Sequence, residues 1–160
     1  MNKIDEIKLP QANNLNTVFK LLLNIPSDIT ECFNNENAAQ LIEMDIRQGS
    51  YYLSALEYFS FIKKVTANSY VLTEKGKLIV NEENKEIRFL NFIFLILQNK
   101  EFSYFYHIYK QYETKEFKRL YLQYCIVTYK NKLLKSTILR RFSTIKKWCI
   151  EIDTRLVNFL

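Results

Sequence analysis

Glycine and proline are nearly missing from this chain, which has two of each in 160 residues. Gly49 and Gly76 lie too far apart to build a glycine-rich loop around a phosphate, so nucleotide-binding motifs of that kind are excluded. Pro10 and Pro26 both precede the long periodic segments, so most of the chain is free to be helical. Histidine occurs once, at His107 between Tyr106 and Ile108, with no Ser, Cys or Asp partner in sequence, and reads as a core or rim residue rather than a base. Cys32, Cys125 and Cys149 lack the paired spacing of a zinc site and are expected to be reduced, buried thiols. A long hydrophobic run is also missing. The longest, IRFLNFIFLIL at residues 87–97, is about half of the roughly 20 residues a membrane span needs, and Arg88 and Asn91 interrupt it. It reads as a buried helix, and no membrane association is expected. The chain opens without the basic, apolar and small-residue regions of a signal peptide, which gives a cytoplasmic expectation. Metal-dependent cleavage needs clustered carboxylates with a Lys on adjoining strands. The one suggestive triplet, Glu116-Phe117-Lys118, lies in a helical pattern without an acidic strand partner, so no catalytic, metal or cofactor site is expected.

Acid is missing from one stretch in particular. Residues 1–80 carry 8 Lys/Arg against 9 Asp/Glu, a net of −1, whereas residues 81–160 carry 15 against 8, a net of +7; together these make the formal +6. Lys130, Lys132, Lys135, Arg140, Arg141, Lys146 and Lys147 fall between residues 130 and 147 without one Asp or Glu. A charge run usually marks only a solvated face, but single-sign density of this kind also suits a polyanion.

Apolar periodicity gives the organisation. LNTVFKLLLN, residues 15–24, predicts a helix on Leu15, Val18, Phe19, Leu22 and Leu23, closed by the turn-rich IPSD. ENAAQLIEM, residues 36–44, predicts a short second helix with Ala39, Leu41 and Ile42 inward. DIRQGSYYLSALEYFSFI, residues 45–62, predicts a longer third, with Asp45 as N-cap and Tyr52, Leu53, Leu56 and Phe59 on one face. Gly49 inside it costs about 1 kcal/mol against Ala. Either the helix begins later than Asp45, the reading preferred, or the bare backbone approaches a phosphate. VTANSYVLTEKG, residues 65–76, has β-branched and aromatic residues around the turn-forming Asn68-Ser69 and predicts a short hairpin. Three helices followed by a hairpin is the outline of a winged helix, in which the third helix enters a DNA groove and the hairpin touches the neighbouring backbone. Helical periodicity resumes near residue 83, with Ile87, Leu90, Phe94 and Leu97 on one face, and continues through SYFYHIYKQY and KEFKRLYLQYCIVTY with an aromatic-rich core. The expected fold class is mainly α, in two units, residues 1–82 and 83–160.

The last helix is predicted to begin near Lys135 with Ser136 as N-cap. Ile138, Phe142, Ile145, Cys149 and Ile152, spaced by four, three, four and three, form one apolar stripe. Thr137, Arg140, Arg141, Thr144 and Lys147 recur at i, i+3, i+4, i+7 and i+10 and share another face. Hydroxyls bond phosphates or base edges, and Arg reaches guanine O6 and N7 bidentately, so this face carries both backbone and base chemistry. A carboxylate there would repel phosphate.

RQGSYYLSALEYFSFIKKVTANSYVLTEKGK, residues 47–77, resembles the winged-helix modules of type II restriction endonucleases and related restriction-modification proteins. Arg47, Gln48, Tyr51, Tyr52, Ala55, Tyr58, Leu72, Thr73 and Gly76 fit that pattern. STILRRFSTIKKW, residues 136–148, resembles the partner motif of the same proteins through Ser136, Thr137, Arg140, Arg141, Ser143, Thr144 and Trp148. One departure is Phe59-Ser60, where family members often have Leu-Gly. The resemblance implies tandem winged-helix (helix-turn-helix) domains with one or two small β-hairpin wings. It also implies recognition of double-stranded DNA, with a nuclease domain or subunit elsewhere. Arg47, Gln48, Ser50 and Tyr51 would then start the first groove-facing helix, with Tyr52 in the core. Lys63, Lys64, Lys75 and Lys77 flank the hairpin, as phosphate contacts or as ordinary solvated lysines. Lys135, Ser136, Thr137, Arg140, Arg141, Thr144 and Lys147 would form the second DNA-facing set.

The competing reading is a helical protein-interaction subunit or transcriptional regulator whose basic face meets an acidic partner. A protein-binding surface more often centres on an aromatic or aliphatic anchor, so the mixed hydroxyl and Arg face favours DNA. The apolar VNFL at residues 157–160 leaves open a homodimer or continuation into another domain.

Overall fold

The computed structural model describes residues 9–159, the side chain of Asn131 excepted; residues 1–8 of the first expected unit and Leu160 of the apolar VNFL end lie outside them. The order of elements is α1 (Leu15–Leu22), α2 (Asn35–Ile42), α3 (Ile46–Tyr58), β1 (Ile62–Thr66), β2 (Ser69–Leu72), α4 (Glu74–Val80), α5 (Lys85–Leu97), α6 (Lys100–Gln111), α7 (Thr114–Tyr129), a 3₁₀ turn at Lys130–Lys132, and α8 (Lys135–Phe159). The described chain is mainly helical with one two-stranded antiparallel hairpin, and residues 83–159 contain no strand. None of the described helices is long and apolar enough to cross a membrane.

With so little glycine and proline, the helices are punctuated by short polar side chains. Asn14, Asn34, Asp45, Thr73, Asn84 and Asn99 each accept a backbone N–H from the first turn of α1 to α6, respectively. At two helix C-termini a non-glycine residue takes the left-handed conformation that glycine usually supplies: Glu43 at φ 56° and Ser60 at φ 61°. After α3 the Ser60 N–H bonds to the Glu57 carbonyl and the Phe61 N–H to the Leu56 carbonyl, the paired closure of a Schellman turn.

The hairpin begins three residues earlier than expected, and its turn lies one residue earlier. Its register pairs Ile62 with Leu72 and Thr66 with Ser69, so Ala67-Asn68 form the turn, and Thr73, expected in a strand, caps α4 instead. β1 is an exposed edge beyond Ile62, while β2 is buried throughout. The far side of β2 is covered by the α1–α2 connection, where the Tyr70 and Leu72 N–H groups bond to the carbonyls of Phe33 and Pro26.

Other expectations are corrected by packing. Gly49 sits inside α3, so neither a late helix start nor a phosphate approach explains it. A Cβ there would lie 2.7 Å from the Asn35 carbonyl and 2.9 Å from the Ala39 nitrogen, because α2 crosses α3 backbone to backbone. Gly76 serves the same purpose against the Phe61 carbonyl. Leu41 is only half-buried, and Ala38 takes its place inward. Ser136 lies within the first turn of α8 rather than capping it, since the Leu134 carbonyl accepts from Thr137 and Ile138. Cys125 and Cys149 are buried, but Cys32 is exposed. In α5 the buried face is Phe92, Ile93 and Ile96, whereas Ile87 and Phe94 of the expected stripe are exposed. That helix is apolar nearly all round. The Phe19 ring of α1, 5.0 Å from both Phe89 and Phe92, selects the inward side.

One buried cluster runs from Leu9 to Ile152 and crosses the link between α4 and α5, where the two units were expected to divide. The α8 stripe Ile138, Phe142, Ile145, Cys149 and Ile152 is buried as its spacing predicts, and Tyr52 is in the core. Trp148 stacks on Phe59 at 5.2 Å and meets Phe102 edge-on at 6.2 Å, joining α3, α6 and α8. The Glu101 carboxylate accepts from Tyr58 at 2.6 Å, Tyr124 at 3.0 Å and Tyr129, tying the end of α3 to α7.

Two substitutions check this account by urea unfolding. Gly49→Ala, which helix propensity alone would favour by about 1 kcal/mol, lowers stability by about 1–3 kcal/mol because the α2 backbone cannot yield. Ser60→Gly raises it by about 1 kcal/mol, relieving the left-handed residue.

Candidate functional site

Residues 12–16 run along α8 and are fastened to it at successive turns. The Thr144 hydroxyl donates to Asn13 Oδ1 at 2.9 Å and Trp148 Nε1 to the Ala12 carbonyl at 2.7 Å. The Leu15 N–H donates to Glu151 Oε2 at 3.2 Å and Arg155 Nη2 to Asn16 Oδ1 at 3.2 Å. Spaced by four, three and four, these α8 residues share one face. The start of α3 lies beside this ladder and leaves a cleft of about 540 Å³.

The cleft is polar. Gln11 and Asn13 come from the N-terminal segment, Asp45, Arg47, Gln48 and Tyr51 from the start of α3, and Arg140, Arg141, Ser143 and Thr144 from α8. Three guanidinium groups face one carboxylate, and Asp45 already uses Oδ1 to cap α3 at the Gln48 N–H, 2.8 Å away. Arg47 Nε donates to the Tyr51 hydroxyl at 2.6 Å, and its guanidinium carbon lies 5.6 Å from the ring centre. This i, i+4 pair stiffens a long side chain at the rim. Arg140 is exposed, while Arg141 is buried, only 9% of it exposed. Burial, with a smaller contribution from Arg140, lowers the Arg141 pKa, and the nearby Tyr121 and Tyr129 phenols oppose the shift; the side chain stays cationic near neutrality. The start of α8 is held from behind by Tyr121, whose hydroxyl donates to the Ile138 carbonyl at 3.0 Å.

Six of the residues expected from the sequence to face DNA therefore meet in one place: Arg47, Gln48, Tyr51, Arg140, Arg141 and Thr144. The face expected on α8 is split. Arg140 and Lys147 are exposed, but Thr144 is buried against Asn13 and Arg141 is buried with Tyr121, Tyr129 and Tyr51 nearby. Ser50, half-buried, does not line the cleft. Lys63 and Lys64 stand exposed on β1, with the Lys64 ammonium 5.7 Å from the Tyr70 ring centre. Lys75 donates to the Phe59 carbonyl at 2.9 Å, and burial lowers its pKa. Lys77 pairs with Glu74 at 2.9 Å, and Lys147 stands 4.0 Å from Glu151. Lys135 and Ser136 are exposed and Thr137 half-buried, outside the cleft. Gln11 and Asn13 escaped notice in the sequence; their one signal is a polar QANN between Pro10 and the apolar run from Leu15. The Glu116-Phe117-Lys118 triplet is taken up by packing, Phe117 being buried and Glu116 paired with Arg119. His107 is exposed. Among the described residues no three His, Cys, Asp or Glu side chains converge as metal ligands.

Residues 18–152 match the family described as Domain of unknown function (DUF7226), and the chain belongs to that family. No curated protein and no solved structure matches it.

Proposed function

We propose that this chain is a double-stranded DNA-binding module that grips the duplex with the arginine-lined cleft between α3 and α8. The observation that carries this reading is the convergence of two motifs, one at residues 47–51 and one at 140–144, on a single cleft. The second was singled out for groups that bond phosphates or base edges, and the first through the resemblance to winged-helix modules. Guanidinium forks match phosphate oxygens bidentately, while amides and hydroxyls add neutral donors that a flexible lysine surface lacks. In this reading Arg47 and Arg140 take adjacent phosphates, and Gln48 and Tyr51 face the groove. Residues 15–72, three helices and a hairpin, would act as the winged helix, with Lys63 and Lys64 of β1 on the flanking backbone. Residues 83–160 would be the second, helical module. The wider setting we propose is a restriction-modification system in which a nuclease domain or subunit supplies the chemistry.

Fluorescence anisotropy with a labelled random-sequence duplex tests this at about 50 and 200 mM salt. The wild-type chain binds, weakens steeply with salt, and loses about one phosphate contact of salt slope for each of Arg47→Ala and Arg140→Ala. No binding at the lower salt, or unchanged binding in both variants, overturns the reading.

A further inference from the structure

A second surface lies apart from the cleft, at the junction of α7 and α8. A groove of about 670 Å³ is lined there by Ile126, Lys130, Leu133, Leu134, Lys135 and Ile138. Leu134 is 75% exposed and Ile126 51%, a large apolar area to leave in water. Its rim is cationic, with Lys132 exposed beside Lys130 and Lys135, and no acidic residue occurs from 130 to 147. Whatever fills this groove is apolar at its centre and acidic at its edge.

The chain itself carries such a surface. On the outer side of α5, Ile87 and Phe94 are exposed two turns apart, with half-buried Leu90 between them. The opposite side of α5 is already in the core, and Ile87 and Phe94 stay exposed among the described residues. Exposed Glu83 and Glu86 stand at its N-terminal end, with exposed Lys85 between them. The stripe cannot reach the groove of its own molecule. α5 neighbours the far end of α8, where the Arg155 guanidinium lies 5.4 Å from the Phe89 ring centre, and Lys135 is 20 residues, roughly 30 Å, back along that helix.

We propose that a second copy of this chain docks its α5 stripe into the α7–α8 groove. Ile87 and Phe94 of one molecule meet Ile126 and Leu134 of the next, and Glu83 and Glu86 face the lysine rim. Groove and stripe are different surfaces, so a single contact is head to tail: a docked pair leaves one groove on one molecule and one stripe on the other open, and further copies extend it into a ring or an open chain. Neither surface uses a cleft residue, so the proposal stands or falls independently of DNA binding. Self-association would also space DNA-binding clefts at a fixed repeat.

Sedimentation velocity of the whole chain, freed of nucleic acid, tests it over a wide concentration range. The wild type shows a mass that rises with concentration and falls with added salt. Leu134→Glu, which spoils the groove, and Phe94→Glu, which spoils the stripe, are each monomeric; both positions are exposed, and unchanged circular dichroism confirms folding. Mixed one to one, the two variants form a heterodimer, because the intact stripe of the first fits the intact groove of the second. A wild type that stays monomeric throughout overturns the proposal, including the case in which another protein's acidic segment fills the groove. A wild-type oligomer with no rescue in the mixture overturns it too, pointing to a two-fold contact elsewhere.

Discussion

The ladder of bonds between α8 and residues 12–16 is the constraint on which the rest of the molecule depends. Thr144, Trp148, Glu151 and Arg155 present one polar group per turn to the irregular residues 12–14 and the first residues of α1, and fix their register. Trp148 is the strongest rung. Its indole N–H satisfies a buried carbonyl whose loss of partner would cost about 1–3 kcal/mol, and its ring is fully buried between Phe59 and Phe102. Because Phe59 ends α3 and Phe102 begins α6, the same residue sets the last helix against the first half of the chain. Glu151 also supplies an acceptor to the first N–H of α1, so the position of α1 is tied to α8 as well.

The cleft follows from this arrangement. Once residues 12–16 lie along α8, Asn13 bonds to Thr144 and the start of α3 is brought alongside, which sets Arg47 opposite Arg140 and Arg141. Three arginines would repel one another in a closed site; here Arg47 and Arg140 are solvated, and Arg141 lies near the Tyr121, Tyr129 and Tyr51 phenols. The arrangement holds cationic groups in place before any anion arrives, which reduces the ordering that binding would otherwise demand. Acid would defeat it, and the one carboxylate in the cleft, Asp45, is occupied as a helix cap.

Much of the fold is legible in the sequence because periodicity is local. The stripe of α8, the Asp45 cap and the inward set of α3 all follow from spacings of three and four. The misreadings arise where a tertiary neighbour decides. IRFLNFIFLIL is apolar on nearly every side, so Phe19 across the interface tells which side is inward. Gly49 is explained by the backbone of α2, invisible in the α3 sequence. Thr144 and Arg141 have the spacing of a solvent face and are buried, Thr144 by a segment more than a hundred residues away in the chain. The candidate site was legible as two separate halves, and their union was not, since nothing in either motif specifies the other's position.

The central claim is that these two halves act as one surface toward DNA. The most direct measurement is the NMR spectrum of the arginine side-chain N–H groups in the whole chain as a duplex is added. The account predicts that the Arg47 and Arg140 signals shift together at the same duplex concentration, while that of Arg119, engaged with Glu116 on α7, stays in place. Shifts confined to one of the two cleft arginines, or an Arg119 shift of equal size, would contradict it.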